Sequence, residues 1–321
     1  MSPVPVAVTV PLEPELLAQI EAVDKRIELL DASAPLEEAE VVLLGTHPRR
    51  LPDVLRDAVR ANGSRVRWIH SIWAGAGEQV AAAELTRKEL ERVAITTSAG
   101  VHATPLAEFA LLGLLAFAKG LPRLLCAKAD RRWDRYVMDE LRDRTLLVLG
   151  VGSIGREVAR LAGAFGMHTI GIKRTPGEVA HVDEVHPPER LRELLPHADA
   201  VVVTLPSTAA TRGLLDRETI ALLPPHAVLV NVGRGAVVDE EALVEALRVG
   251  RLAGAALDVF AEEPLPPESP LWELPNVLLA PHTAARSDHE FERIVELFCN
   301  NLRRYLRGEE LRNRVDPEHF Y

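Results

Sequence analysis

The sequence predicts an α/β protein of two domains, each built on a parallel sheet. Three observations carry that expectation. Short β-branched runs alternate with helical periodicity along nearly the whole chain. Most of those runs are continuously apolar rather than alternating, the pattern of strands covered on both faces. The length of 321 residues also exceeds one ordinary core, so a second domain is expected.

In the first third, strands are expected at 4–10, 26–30, 40–44, 66–70 and 93–97, with a helix at 52–61 among them. An amphipathic segment at 104–118 follows, with Pro105 suited to a first helical turn. A second series then begins, with strands at 145–149, 168–172, 200–205, 228–232, 253–258 and 277–279. Helices at 156–165, 188–195, 216–222 and 240–249 separate most of these, giving six strands in one doubly wound sheet. One more long helix is expected at 290–306.

The formal charge of −10 excludes a general affinity for nucleic acid, since a polyanion would meet an acidic surface. The two cysteines, Cys126 and Cys299, are far apart and form no CxxC spacing. That rules out a disulfide framework and a cysteine-rich metal site, and fits a reducing compartment. The N-terminus lacks a basic start followed by a long apolar run, and the most apolar stretch, 109–118, is too short for a bilayer. A cytoplasmic protein with no membrane partner is expected.

The segment TLLVLGVGSIGREVARLAGAFG reads as strand, glycine loop and helix. A bare GxGxxG is common, but this one lies in the context that dinucleotide binding requires. Gly150 permits the tight turn, Gly152 lets the backbone approach a pyrophosphate, and Gly155 lets helix and strand pack closely. Free N–H groups and the dipole at the helix start would face the negative charge. The next strand ends GIKRTP, so Lys173 stands 18 residues beyond Gly155, with Arg174 and Thr175 after it. An acid there would accept from ribose hydroxyls; a basic pair suits a 2′-phosphate instead. NADP is therefore preferred, with NAD possible.

Three later segments each begin at the end of a predicted strand: NVGRG at 231–235, LDVFAEEPLP at 257–266 and APHTA at 280–284. Parallel strands put all such ends on one edge of the sheet, where ligands bind. Taken singly, an Arg between glycines is a turn residue, a Glu before a proline is a surface charge, and a His after a proline is a loop residue. Their conjunction points to a site. Reducing a 2-oxo acid needs hydride on the carbonyl carbon and a proton on its oxygen. His282 can give that proton or remove it in the reverse direction, Glu263 can hold the ring, and Arg234 offers a fork of donors to a carboxylate.

These residues resemble the D-isomer-specific 2-hydroxyacid dehydrogenase family over nearly the whole chain. The marks are GVGSIG at 150–155, TLPSTAATRGLL at 204–215, NVGRGAVVDEEAL at 231–243, ALDVFAEEPLP at 256–266, APHTA at 280–284 and the tail at 301–316. The resemblance implies that Arg234, Glu263 and His282 are catalytic, with Glu263 rather than Glu262 because the family's acid immediately precedes the proline. It implies cofactor contacts from Ser153 and Ile154 in the glycine loop, from Leu205, Pro206 and Thr211, from Val232, Gly233, Arg234 and His282, and from Asp258 to the nicotinamide carboxamide. In SIWAGAGEQV, Gly75 and Ala76 are the implied backbone donors to the substrate carboxylate, alongside Arg234 and His282. Trp73, in that loop, would help shape the pocket, and Thr104 would lie near the cofactor.

The implied architecture is a Rossmann-type doubly wound domain, 102–284, inserted into a smaller flavodoxin-like α/β substrate domain made of 1–101 and 285–321. A homodimer through the dinucleotide domains is implied too. No metal ligands are expected. The implied reaction is hydride transfer between NAD(P)H and a small 2-oxo or D-2-hydroxy acid, of glyoxylate/hydroxypyruvate type. Two alternatives share the fold. Formate and phosphite dehydrogenases are one, although formate enzymes carry Gln where Glu263 stands. A dinucleotide-sensing, corepressor-like binding protein is the other, although such relatives usually carry long extensions.

Overall fold

The computed structural model describes residues 2–316. They fall into two compact units, Met1–Val101 with Asp288–Tyr321, and His102–Ser287.

In the first unit, strands β1 (Val4–Val8), β2 (Ile27–Leu29), β3 (Val41–Leu44), β4 (Trp68–Ser71) and β5 (Ala94–Thr97) form an all-parallel sheet in the order β2-β1-β3-β4-β5. That is the flavodoxin-like order. Consecutive residues of β3 serve opposite faces, which explains why the strand is apolar throughout. Val42 and Leu44 join a core with Leu51, Leu55 and Val80; Val41 and Leu43 join one with Ile20, Phe298 and Leu302. Helices α1 (Pro14–Glu21), α2 (Leu51–Arg60), α3 (Gly77–Ala82) and α4 (Arg87–Arg92) belong to this unit.

The second unit opens with α5 (Ala103–Ala118) and α6 (Leu121–Ala129) and contains seven parallel strands: β6 (Thr145–Leu149), β7 (His168–Ile172), β8 (Glu184–His186), β9 (Ala200–Val203), β10 (Val228–Asn231), β11 (Gly254–Leu257) and β12 (Val277–Leu279). Their order is β12-β11-β10-β9-β6-β7-β8. Strand order therefore reverses between β6 and β9, the switch point at which a doubly wound sheet leaves a crevice for a ligand. Helices α7 (Ser153–Ala164), α8 (Leu191–Leu194), α9 (Arg217–Ile220) and α10 (Glu240–Arg248) lie between strands. The two faces are covered by separate cores: α5 and α7 pack over Val148, Val202 and Val230, and α8 to α10 over Leu147, Val201 and Leu229.

Six strands were expected in this sheet and seven are present. The added one, β8, is a three-residue edge strand whose sequence EVH carries no apolar run. The expected helix at 188–195 is divided into a 3-10 turn at Pro188–Arg190, the four residues of α8 and a second 3-10 turn at Leu195–His197. The last helix, α11 (Glu290–Leu306), belongs to the first unit, where Ile294 and Phe298 enter the core of β1, β3 and β4. Beyond it, Arg314 forms an antiparallel bridge to Thr96.

The register of the seven-stranded sheet positions the site. Leu149 pairs with Ile172 and Val203, Val203 with Asn231, Asn231 with Leu257, and Leu257 with Leu279. The C-terminal residues of six strands thus form one row, and the segments beginning at 150, 173, 204, 232, 258 and 280 all leave from it.

Candidate active site

The glycine loop leaves β6 at the switch point. Gly150 has φ +99°, a conformation that favours glycine, and a Cβ there would lie 2.9 Å from Leu205. Its carbonyl accepts a hydrogen bond of 2.5 Å from the Thr204 hydroxyl, which joins the ends of β6 and β9. A Cβ on Gly155 would lie 2.1 Å from the Gly150 carbonyl oxygen, so α7 reaches this position only because the side chain is absent. Gly152 differs: a Cβ there would meet nothing within 4 Å. Gly152 is the N-cap of α7 and supplies no side-chain cap, and Ser153 and Ile154 open the helix. Open space beside uncapped amides at a twelve-residue helix fits a pyrophosphate.

Beyond β7, Lys173, Arg174 and Thr175 are all exposed, and the Lys173 amide donates to the His186 carbonyl at 3.0 Å. Beyond β9, the Leu205 backbone lies so near Gly233 that a Cβ on the glycine would stand 2.6 Å from the Leu205 carbonyl oxygen. The Thr211 hydroxyl donates to the Pro206 carbonyl at 2.6 Å and accepts from the Thr208 amide at 2.8 Å. It therefore closes the 206–211 loop. Val232 is buried and Gly233 follows it.

The segment after β10 is held by Asn231, a buried side chain that sequence reasoning did not single out. Its Oδ1 accepts from the Gly233 amide at 3.0 Å and its Nδ2 donates to the Arg234 carbonyl at 3.1 Å. Arg234 is exposed, and one guanidinium N–H donates to the Gly233 carbonyl at 2.8 Å. Gly235 sits directly against the next segment, where its Cβ would stand 1.9 Å from the Phe260 carbonyl oxygen. Another residue not anticipated, Glu240 at the start of α10, accepts from the Ala261 amide at 2.9 Å.

Glu263 Oε1 accepts from the Phe260 amide at 3.0 Å, and its Oε2 lies 2.7 Å from His282 Nδ1. The backbone bond orients the carboxylate, and the carboxylate orients the ring. Nδ1 therefore carries a proton, and Nε2 makes no hydrogen bond to the described residues. His282 has φ +52°, an unfavourable conformation for a side-chain-bearing residue. Asp258 holds the segment in that shape: its Oδ1 accepts from the Thr283 amide at 2.8 Å and the Ala284 amide at 3.0 Å. Burial pushes the Asp258 carboxyl up from its ordinary value, those amides draw it down, and the nearby Glu263 charge raises it. The segments after β10, β11 and β12 are thus fastened to one another by Gly235 against Phe260, Glu263 on His282, and Asp258 on Thr283 and Ala284.

Gly75 and Ala76 lie in the first unit, in the turn before α3. Gly75 is exposed, whereas Ala76 is 1% exposed and packs in the core with Val80. Trp73 is anchored by a 2.7 Å bond from its indole N–H to the Thr46 carbonyl. Thr104 lies in the first turn of α5.

A switch-point glycine loop and an acid-held histidine at the same sheet edge define a dinucleotide-dependent oxidoreductase. Comparison with known proteins narrows this. The family model for the D-isomer specific 2-hydroxyacid dehydrogenase NAD-binding domain matches residues 111–284. A glyoxylate reductase of Korarchaeum cryptofilum is 37% identical over 238 residues, covering 70% of this chain and 69% of that protein. A D-3-phosphoglycerate dehydrogenase of Methanocaldococcus jannaschii is 38% identical over 213 residues, covering 65% of this chain and only 40% of its own length. Among solved structures, the D-isomer specific 2-hydroxyacid dehydrogenase of Xanthobacter autotrophicus Py2, in complex with NADPH and MES, superposes with a TM-score of 0.81 at 31% identity and covers 100% of both chains. The chain belongs to the D-isomer specific 2-hydroxyacid dehydrogenase family, as its motifs implied.

Proposed function

We propose that this chain reduces a small 2-oxo acid, of the size of glyoxylate or hydroxypyruvate, to the D-2-hydroxy acid, with NADPH preferred over NADH. The observation that carries the reading is the Glu263–His282 pair, which leaves Nε2 available at the edge where Arg234 also lies. The bound nicotinamide would supply hydride to the carbonyl carbon. The glycine loop and the first amides of α7 hold the pyrophosphate, and Asp258 meets the carboxamide. Lys173 and Arg174 answer the 2′-phosphate, a charge-assisted contact that a ribose hydroxyl does not reproduce. Leu205, Pro206, Thr211, Val232 and Gly233 line the cofactor from neighbouring strand ends.

Arg234 binds the substrate carboxylate through guanidinium N–H groups not given to Gly233, and it polarises the carbonyl as charge develops. The backbone N–H groups of Gly75 and Ala76 are further donors to the carboxylate. His282 Nε2 transfers a proton to the carbonyl oxygen, and Glu263 stabilises the ring while it is charged. In the reverse direction the neutral ring takes that proton. The glyoxylate reductase relative and the NADPH-bound family member support the substrate and cofactor choice.

The same reading includes a homodimer. Leu112, Leu125, Trp133 and Val137 are exposed on the second unit and would supply apolar area for a partner copy to cover. Cytoplasmic residence suits the two free thiols, Cys126 and Cys299. The test of the chemistry is His282→Ala. It should lower kcat with glyoxylate about 10²–10⁴-fold while leaving the NADPH dissociation constant within a small factor. Undiminished turnover would remove His282 from the mechanism.

A further inference from the structure

The first unit contains a buried polar chain that the proposed chemistry does not use. His70, on β4, is 0% exposed and lies among apolar residues, its ring 5.7 Å from that of Phe298 and 6.2 Å from that of Trp68. Its Nδ1 is 2.7 Å from the Thr96 hydroxyl and its Nε2 is 3.1 Å from the Ser98 hydroxyl. Thr96 Oγ1 also accepts the Trp68 indole N–H at 2.8 Å, and Ser98 Oγ donates to the Ser71 carbonyl at 3.1 Å.

Counting protons fixes the direction of every bond. The Trp68 indole can only donate, so Thr96 oxygen accepts there and its own proton has one acceptor within reach, His70 Nδ1. The Ser98 proton is committed to Ser71, so Ser98 oxygen must accept from His70 Nε2. Only the Nε2–H tautomer gives each of these polar hydrogens an acceptor. The order is Trp68 N–H to Thr96 O–H to His70 to Ser98 O–H to the Ser71 carbonyl. Burial pushes the His70 ring down to about 3, so it stays neutral through the working pH range.

The chain ends where the candidate substrate loop begins. Ser71 closes β4, and its own hydroxyl accepts from the Trp73 amide at 3.2 Å. The 71–76 segment is thus held at Ser71 through Ser98 and His70, at Trp73 by Thr46, and at Ala76 by its burial in the core. Packing alone would be met equally well by an aromatic hydrocarbon at position 70. A directed relay from one polar residue to the next is not needed for volume, but it is needed to aim a carbonyl and the amides that follow it.

We propose that His70, as its Nε2–H tautomer, is a positioning residue for the substrate's carboxylate: acting through Ser98 and Ser71, it aims the backbone N–H groups of Gly75 and Ala76. This rests on the reading of that loop as part of the 2-oxo acid site. His70 touches no reacting atom, so its removal weakens substrate binding rather than the chemical step.

Two measurements test it. In protein labelled with ¹⁵N-histidine, long-range ¹H–¹⁵N spectra should show His70 protonated at Nε2 and bare at Nδ1 at neutral pH; the opposite tautomer overturns the relay. In steady-state assays, His70→Phe should raise the KM for glyoxylate about tenfold, with kcat and the KM for NADPH nearly unchanged. His70→Gln, which places an N–H where Nε2 stands, should recover most of that loss. Ser98→Ala cuts the last link while keeping the ring, and should behave as the Phe variant does; it serves if that variant fails to fold. An unchanged glyoxylate KM, or equal damage from Phe and Gln, overturns the proposal. A wild-type chain inactive on every 2-oxo acid would defeat the functional reading and the positioning role together, while the spectra would still decide the relay on its own.

Discussion

Replacing Gly235 by alanine tests how the strand-end segments are fastened together. The added methyl would lie 1.9 Å from the Phe260 carbonyl oxygen, 2.0 Å from its carbon and 2.7 Å from the Ala261 nitrogen. All three are backbone atoms, so no side chain can rotate away. Contacts below 3.0 Å are essentially never made by a real Cβ, so the two backbones must separate by about 1 Å. One backbone carries Arg234 immediately before the glycine, and the other leads to Glu263 through the Phe260 amide that orients it. Overpacking of this kind costs about 1–3 kcal/mol, which for a unit of this size lowers Tm by roughly 2–12 °C. A displacement of about 1 Å in the groups that meet the substrate costs about 100-fold in rate. The expected outcome in NADPH-oxidation assays with glyoxylate is therefore a kcat/KM about two orders of magnitude below wild type, in protein that melts cooperatively at a somewhat lower temperature. A variant with wild-type kcat/KM and wild-type Tm would show that the two segments are not rigidly coupled, and the reasoning would fail.

Gly152→Ala is the converse case. Its Cβ would meet no protein atom within 4 Å, so Tm should not change, yet the methyl would occupy space assigned to the pyrophosphate and raise the KM for NADPH about tenfold. An unaltered cofactor KM would move the phosphate site elsewhere. Stability should also fall with acid because of His70. Its folded-state value of about 3 lies below its ordinary 6.5, so the unfolded chain binds more protons between those limits. This contribution to stability is complete above pH 6.5 and is lost as pH falls towards 3. Between pH 7 and pH 5 the loss amounts to about 2 kcal/mol. Urea unfolding at the two pH values should show it in the wild type, with a difference smaller by about that amount in His70→Gln; parallel pH profiles would show that His70 does not stay neutral in the fold.

The row of strand ends was legible in the sequence because β6, β7, β9, β10 and β11 fall within apolar runs, although the strands expected at 200–205, 228–232 and 253–258 ran one or two residues past the observed ends. The edge strand β8 was not, since Glu184, Val185 and His186 show neither an apolar run nor a turn signal on both sides. Helix α6 was not among the expected elements; it follows α5 after Gly120, whose φ of +63° turns the chain just before Leu121. Within the site, charged residues announced themselves by chemical type: Arg234, Glu263 and His282 stood at motif positions, and the structure sets Glu263 beside His282. Asn231 and Glu240 did not stand out, because their roles consist of bonds to backbone groups whose positions depend on the finished turn. Ala76 shows the limit in the other direction, since only the fold reveals that it is buried in the core. His70 was not singled out in the sequence, because its partners Thr96 and Ser98 are 26 and 28 residues away and join it only when β4 pairs with β5.

Paired NADPH and NADH kinetics test the central claim most directly, with glyoxylate, hydroxypyruvate and pyruvate as acceptors for the wild type and for Arg174→Ala. The account predicts turnover of at least one of these acids, with kcat/KM for NADPH about tenfold or more above that for NADH, since a charge-assisted phosphate contact contributes about 1.5–3 kcal/mol. Arg174→Ala should remove much of that preference by raising the KM for NADPH while sparing NADH. Absence of turnover with either cofactor would contradict the enzymatic reading in favour of a dinucleotide-binding role, and a preference for NADH that Arg174→Ala leaves untouched would contradict the assignment of Lys173 and Arg174 to the 2′-phosphate.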